Sequence, residues 1–324
     1  MRSLCVNCLR GDIIEKRHRI HAVAMQGDTI LLQCGNSDLI TPMRSAAKPF
    51  MVWPQIETSK KCGINLTDKQ IALMVSSHNG ELDHRNEVNS ILALSNSTAD
   101  DLFCGTHFPF FDWLYTDYFM EKDTAKRQLF HNCSGKHAGM LLLAELTGNS
   151  KKNYYEACHP VQKSIINSVK DILRITEYDY FSLALDGCGV PTYCVSLQKI
   201  AASYKLLCKD ERLCRVLTAV LNEPHMIAGS ERIETDIIRN CHFFAKSGSG
   251  GIFCVLVPNE DISIALKAED GDDDAAEAAA AEILDVLGLL TPDNKEILEG
   301  YRRSIIYTST GVFAGQLAPT WSDE

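Results

Sequence analysis

Ser45 and Lys48 stand three positions apart in the stretch Arg44-Ser-Ala-Ala-Lys-Pro-Phe50. In a helical turn, residues at i and i+3 share a face, which brings the hydroxyl within reach of the amine. A serine is unreactive at neutral pH until a base takes its proton. A lysine becomes that base only when burial or a neighbouring cation lowers its pKa, and Arg44 is the cation at hand. Pro49 disfavours helical geometry at Lys48 and is tolerated only in a first turn, so the pair belongs at a helix start. Ser-x-x-Lys also recurs by chance on solvated helices, and it gains meaning only from its surroundings.

Four other segments place polar side chains where turns are expected. Ser76-Ser-His-Asn-Gly-Glu81 follows an apolar run at 71–75 and offers Ser77 as a second hydroxyl. His78, Glu81 and His84 are metal-ligating types, but their spacing matches no standard zinc pattern, which favours solvated or N-capping roles. His131-Asn-Cys-Ser-Gly-Lys-His-Ala-Gly-Met140 carries two histidines, a thiol, a hydroxyl and an amine into an apolar helix, where a structural helix start needs only one cap. Asp186-Gly-Cys-Gly189 ends a strand with glycines that permit close backbone approach. Ala245-Lys-Ser-Gly-Ser-Gly-Gly251 precedes a strand, and its Lys-Ser-Gly matches the Lys-Thr/Ser-Gly element of Ser-x-x-Lys hydrolases; no Walker A pattern is present.

The elements that must position these groups read as a hairpin, a block of helices and a set of late strands. Residues 21–25 and 29–33 are β-rich and joined by Gly27-Asp28, a turn pair that accepts positive φ. Helices are expected from Ser45 toward 56, over 68–76 with Thr67 as N-cap, and over 87–94, 136–146, 159–173, 195–207, 210–221 and 230–239. Residues 101–135 form an aromatic-rich irregular stretch, a substrate-facing loop or ordinary loop packing. Strands are expected at 181–185, 251–257, 262–267 and 304–308, with a helix over 274–287 whose acidic start suits the helix dipole. The pattern implies an α/β (α+β) fold: an antiparallel sheet built from both chain ends, helices packed on it, and an inserted mainly helical region at roughly 50–240 within one catalytic domain of 1–324.

Composition narrows the function. The 324 residues are 45% hydrophobic, enough for a large core, and the formal net charge of -10 with no long basic run argues against nucleic acid or an anionic membrane as partner. The first 32 residues hold no apolar core of signal-peptide length and 137–146 is too short to span a bilayer, so a cytoplasmic location is expected. Thirteen cysteines without regular spacing fit reduced thiols. Cys5-Val-Asn-Cys8 is the single C-x-x-C, without the second pair of a zinc site.

Taken together and in order, Arg44-Ser-Ala-Ala-Lys-Pro, Ser77-His-Asn-Gly-Glu, the 131–140 decapeptide, Asp186-Gly-Cys-Gly-Val-Pro and Ala245-Lys-Ser-Gly resemble the Rhizobium-type (asparaginase II) L-asparaginases, nearly end to end. The resemblance implies a serine β-lactamase- and glutaminase-like fold and hydrolysis of L-asparagine to aspartate and ammonia. It makes Ser45 with Lys48, and Ser77 with Lys246, two Ser-Lys tandems around one site, with Ser45 the first choice of nucleophile. Cys133, Lys136 and Cys188 become a zinc site. Arg44, His78, Asn79, Asp186, Gly187, Ser247 and Gly248 become substrate-binding positions, with Asp186 toward the substrate amine and oxyanion donors near Ser45 or Ser247-Gly248. A homodimer is also implied. The family's late strand continues as Asp-Gly-x-x-Arg-Ala, whereas Ala265-Leu-Lys267 here runs into an acidic turn, and Lys267 is a rival to Lys246.

Two other readings remain at this level. One is a glutaminase or another Ser-x-x-Lys hydrolase, since one methylene discriminates by only about 1–3 kcal/mol. The other is a thiol-rich zinc or redox-sensing protein in which Cys133, Lys136 and Cys188 matter and the serines are caps.

Overall fold

The structure, a computed structural model, describes residues 2–323. The chain divides into two compact units, residues 1–46, 195–205 and 236–324 in the first and residues 47–194 and 206–235 in the second.

The first unit is built on one antiparallel sheet of eight strands among the described residues. They are β1 Arg2–Arg10, β2 Ile13–Gln26, β3 Thr29–Cys34, β4 Phe244–Gly248, β5 Ile252–Val257, β6 Ile262–Ala268, β7 Ile305–Tyr307 and β8 Phe313–Asp323. The order is β7-β8-β1-β2-β6-β5-β4, with β3 also paired to β2. Both chain ends therefore contribute, as the alternation of apolar runs implied. β5 is buried at every position, so both of its faces are covered, which explains its unbroken apolar run Ile-Phe-Cys-Val-Leu-Val. The Asp273–Val286 helix packs on this sheet through an alanine-rich face; small side chains let helix and sheet approach closely. The Leu197–Tyr204 helix packs on β6 and β2.

Several strands depart from the sequence reading. β1 and β8 were not expected, and β8 carries Pro319, which lacks a ladder donor. β7 covers only Phe313–Gln316 of β8, so Pro319 lies where the strand has a single neighbour, opposite Val6. Lys246 and Ser247 lie on β4 itself rather than before a strand. Val195 and Ser196 end the strand Pro191–Ser196, and the helix begins only at Leu197. Cys5 and Cys8 sit three apart on β1 and so project from opposite faces, unable to share a metal.

The second unit is mainly helical. Thr67 caps the Asp68–Met74 helix in a full capping box with Gln70. The Leu82–Leu94 helix starts earlier than its apolar periodicity suggested. The Ser134–Leu146 helix is buried over its first eleven residues. A hairpin of Ser182–Leu185 against Pro191–Cys194 carries the Asp186-Gly-Cys-Gly turn. The expected 230–239 helix is reduced to Ile233–Asp236 and a π-turn at Ile237–Cys241.

The closest helix approach in this unit depends on glycine. A Cβ on Gly135 would lie 2.4 Å from the Leu73 carbonyl oxygen, and one on Gly139 would lie 2.5 Å from Met74 Sδ. Gly135→Ala is therefore expected to cost about 1–3 kcal/mol through overpacking, measured as a lowered urea midpoint. An unchanged midpoint would show that the two helices have slack to separate.

Candidate active site

In the first unit, Arg44 opens a 3-10 turn, Arg44–Ala47, and adopts φ of 49°, a left-handed conformation that costs a non-glycine residue about 1–2 kcal/mol. Ser45 follows it, 8% exposed. The turn lies against the end of β4, because a Cβ on Gly248 would come within 2.9 Å of the Met43 carbonyl oxygen and 3.2 Å of the Ala46 nitrogen. Tyr204 donates its hydroxyl to the Ala46 carbonyl at 2.8 Å. Lys246 is fully buried and donates to the Ser247 carbonyl at 2.9 Å. Lys267, on β6, donates to the Ala268 carbonyl and faces the carboxylates of the acidic turn.

The second unit carries Lys48, Ser77, His78, Asn79, Cys133, Lys136, Asp186, Gly187 and Cys188. Lys48 is the first residue of the helix Lys48–Met51, with Pro49 in its first turn as the sequence required. Its amine is 1% exposed and donates to the Ser76 carbonyl, to Ser77 Oγ at 3.2 Å and to the Asn132 carbonyl at 3.5 Å. Burial pushes the Lys48 pKa down and the charge on Lys136 pushes the same way, while the thiol at Cys133 opposes them. Lys136 is thus a cation acting on Lys48.

The decapeptide delivers a second cluster. Lys136 donates to Cys188 Sγ at 3.0 Å and lies 3.6 Å from Asp186 Oδ2. A cation in the first turn of a helix opposes the helix dipole, so Lys136 is not there to stabilise the helix. Burial works against its charge, but Cys188, Cys133 and Asp186 together outweigh burial and raise its pKa. A hydrogen bond from Cys188 and then the charges on Lys48 and Lys136 pull Cys133 well below the usual thiol range, against burial. Cys188 is raised, chiefly by that same hydrogen bond and by burial. The two sulfurs therefore give up a first proton readily and hold the second. Asp186 Oδ1 accepts from the Gly187 amide at 2.9 Å.

His78 and Asn79 have their polar atoms engaged by the protein. His78 Nδ1 accepts from the Gly80 amide at 3.0 Å and Nε2 meets Ser134 Oγ at 3.0 Å. Burial, then the neighbouring charges on His84 and Lys48, hold His78 neutral at physiological pH. Asn79 donates to the Ser230 carbonyl at 2.9 Å and accepts from Arg232 Nη1 at 3.1 Å. Arg232 and Glu234 belong to this neighbourhood and were not singled out from sequence. Their only local signal is an Arg-x-Glu in a stretch read as helix.

Glu81, His84 and His225 each place a ligand-type atom within 4.8 Å of the others. The rings do not converge, however: His78 and His84 stack at 4.9 Å, and His84 and His225 stack at 5.0 Å with planes 11° apart. Imidazole lone pairs lie in the ring plane, so parallel, displaced rings cannot both direct one to a single ion. Glu81 occupies the N-cap position of its helix but makes no side-chain cap. It accepts instead from the Ser230 amide at 2.7 Å and hydroxyl at 3.1 Å.

The fold and these clusters define an α+β protein with buried Ser-Lys and Cys-Lys-Cys groupings. A family model described as L-asparaginase II matches residues 6–319, and the chain belongs to that family. The family is one of asparaginase-type amidohydrolases acting on a small-molecule substrate. No curated protein matches. Among solved structures, the chain is similar to a β-lactamase from Mycobacterium bovis at 12% identity and TM-score 0.39, covering 84% of this chain and 95% of that one. It is also similar to a β-lactamase candidate from Bacteroides dorei at 11% identity and TM-score 0.46, covering 82% and 93%. No helix among the described residues is long and apolar enough to cross a membrane.

Glu81 yields a pH prediction. Burial raises its carboxyl, but hydrogen bonds from His225 and Ser230 outweigh that and lower it to about 2 from an ordinary 4.5. A depressed folded value stabilises the protein above the unfolded pKa, and the contribution drains away as pH falls from about 5 toward 2. Wild-type stability should therefore fall more steeply over that range than that of Glu81→Gln, compared by thermal melts at matched ionic strength. Parallel curves would exclude Glu81 as a source of the acid sensitivity.

Proposed function

We propose that the protein is an L-asparaginase that hydrolyses the side-chain amide of L-asparagine to L-aspartate and ammonia through a lysine-activated serine. The observation that carries this reading is the buried Lys48 amine 3.2 Å from Ser77 Oγ. Of the amine's three oxygen partners, beside which the Cys133 sulfur also lies, two, the Ser76 and Asn132 carbonyls, can only accept. The third is a hydroxyl, able to donate or accept. A neutral amine gives its two hydrogens to the carbonyls and turns its lone pair to Ser77 O–H; an ammonium donates to all three. Both protonation states are satisfied in one geometry, so the proton can pass from serine to lysine without rearrangement.

In the reaction, Lys48 takes the Ser77 proton as Oγ attacks the amide carbon. The proton then passes to the departing nitrogen, ammonia leaves, and a water activated by the same amine hydrolyses the ester to aspartate. The Ser77 and Asn79 amides are bonded to the Ile227 and Ala228 carbonyls, so neither is an open oxyanion donor. Asp186 is the carboxylate assigned to the substrate α-amine. The resemblance instead pairs Ser45 with Lys48 and Ser77 with Lys246, an alternative assignment that Ser45→Ala and Lys246→Met test.

Cys133, Lys136 and Cys188 fit the proposed zinc. Two thiols whose first proton leaves readily, and an amine beside them, form a donor set of the kind zinc accepts. A bound zinc supplies Lewis acidity and fixed positive charge. The three side chains would hold it, with Lys136 giving up its proton to bind. Zinc content after dialysis is therefore expected to fall as pH drops from 8 to about 6, and to be lost in Cys133→Ser at either pH. Equal zinc in that variant would remove Cys133 from the ligand set.

Purified protein should release ammonia from L-asparagine faster than from L-glutamine. Lys48→Met and Ser77→Ala are each expected to lower kcat by about 10²–10⁴-fold while the fold persists by circular dichroism. Full activity in Lys48→Met would sink the mechanism, equal rates on the two amides would favour the glutaminase reading, and loss only in Ser45→Ala would move the nucleophile there.

A further inference from the structure

The extended segment bearing Ser77 is held by one sequence-remote segment, residues 227–234. Ser77 N–H donates to the Ile227 carbonyl at 2.8 Å and Asn79 N–H to the Ala228 carbonyl at 2.9 Å. Asn79 Nδ2 donates to the Ser230 carbonyl at 2.9 Å, and Ser230 returns two bonds to Glu81. The remaining tie is Arg232. Its Nη1 donates to the Ser77 carbonyl at 3.4 Å and to Asn79 Oδ1 at 3.1 Å, and its Nη2 donates to Glu234 Oε1 at 3.1 Å.

We infer that Arg232 is a positioning residue for the reaction: it fixes the peptide plane that follows Ser77 and thereby the direction of Ser77 Oγ toward Lys48. The inference rests on reading Ser77 as the reactive hydroxyl. With its N–H tied to Ile227 and its C=O tied to Arg232, Ser77 has both flanking peptides anchored, and the side chain pivots from a fixed base. A displacement of about 1 Å at a reacting group costs on the order of 10²-fold in rate.

Arginine suits this task as lysine does not. One planar fork reaches a backbone carbonyl, a side-chain amide and a carboxylate at once, whereas an ammonium is a point charge on a flexible stem. The charge is balanced locally, since Glu234 is fully buried and its carboxylate pairs with the guanidinium. The Arg232 side chain is 14% exposed, and the exposed Phe110 ring lies 5.3 Å from its guanidinium carbon. The Phe110 ring thus shelters part of the guanidinium.

Truncating Arg232 alone leaves Glu234 buried without its partner, which can unfold the protein. The test therefore uses Arg232→Lys and the charge-balanced pair Arg232→Met with Glu234→Gln, beside wild type and Ser77→Ala. Steady-state ammonia release from L-asparagine gives kcat and KM, thermal melts check the fold, and labelling of Ser77 by a sulfonyl fluoride, read by mass spectrometry, reports the reactivity of the hydroxyl itself. The expected result is a kcat lower by about 10²-fold in folded variants, KM within a few-fold of wild type, and Ser77 labelling slowed in step. Wild-type kcat and labelling in either folded variant, with Ser77→Ala inactive, would overturn the positioning role and leave the mechanism standing. Full activity in Ser77→Ala would defeat both.

Discussion

A lysine amine without access to water must either find acceptors for every hydrogen or give up its charge, and Lys48 is placed where both solutions are open. Its oxygen partners are two carbonyls and one hydroxyl, with the Cys133 sulfur beside them. Desolvation disfavours the ammonium, and the carbonyl pair keeps the neutral amine from being an orphan. Much of the second unit follows from that requirement. The 76–77 segment must pass beside the amine, the Asn132 carbonyl must face it, and the proline after Lys48 must end the preceding turn so that the side chain is presented from the start of a helix.

The same logic governs the Cys133, Lys136 and Cys188 cluster, with the opposite sign. There the surroundings retain a positive charge, because two thiols and a carboxylate offset the burial of Lys136. Two buried lysines in one unit therefore have their pKa values pushed apart, Lys48 down and Lys136 up. Separation of that kind is how a site keeps a base and a fixed cation at one pH. With no metal bound, Lys136 also helps to set Lys48, since its charge adds to the desolvation there, so the two clusters are electrostatically linked.

What the sequence disclosed and what it concealed divides by the range of the interaction. The Gly27-Asp28 turn, the Thr67 cap and the apolar run of β5 were legible because turn chemistry, capping and continuous burial act over a few residues. β8 was hidden: Gly315 and Pro319 interrupt its alternation, and only the register against β1 shows where a missing donor is tolerated. The chemical residues were legible as dense polar clusters, yet their pairing was not. Lys48 bonds to Ser77, 29 positions away, and Arg232 reaches Ser77 across 155. Such contacts leave no periodicity. The stretch 230–239 had enough helical character to conceal a segment whose first residues instead brace residues 77–81.

The relation between the two clusters is set by packing as much as by charge. The Asp68–Met74 helix leads directly into Ser76 and Ser77, and its last residues meet the Ser134–Leu146 helix at Gly135 and Gly139. Those glycines stand four apart, on one face, and leave room for the Leu73 carbonyl and the Met74 side chain at distances no Cβ could share. Lys136 follows Gly135 by one position, so its side chain leaves the helix about 100° around from that contact. The helix-helix separation thus fixes where the Lys136 amine sits relative to the segment bearing Ser77. Two glycines outside both clusters set the distance from Lys136 to Lys48, and a larger residue at either would change that distance before it touched either lysine.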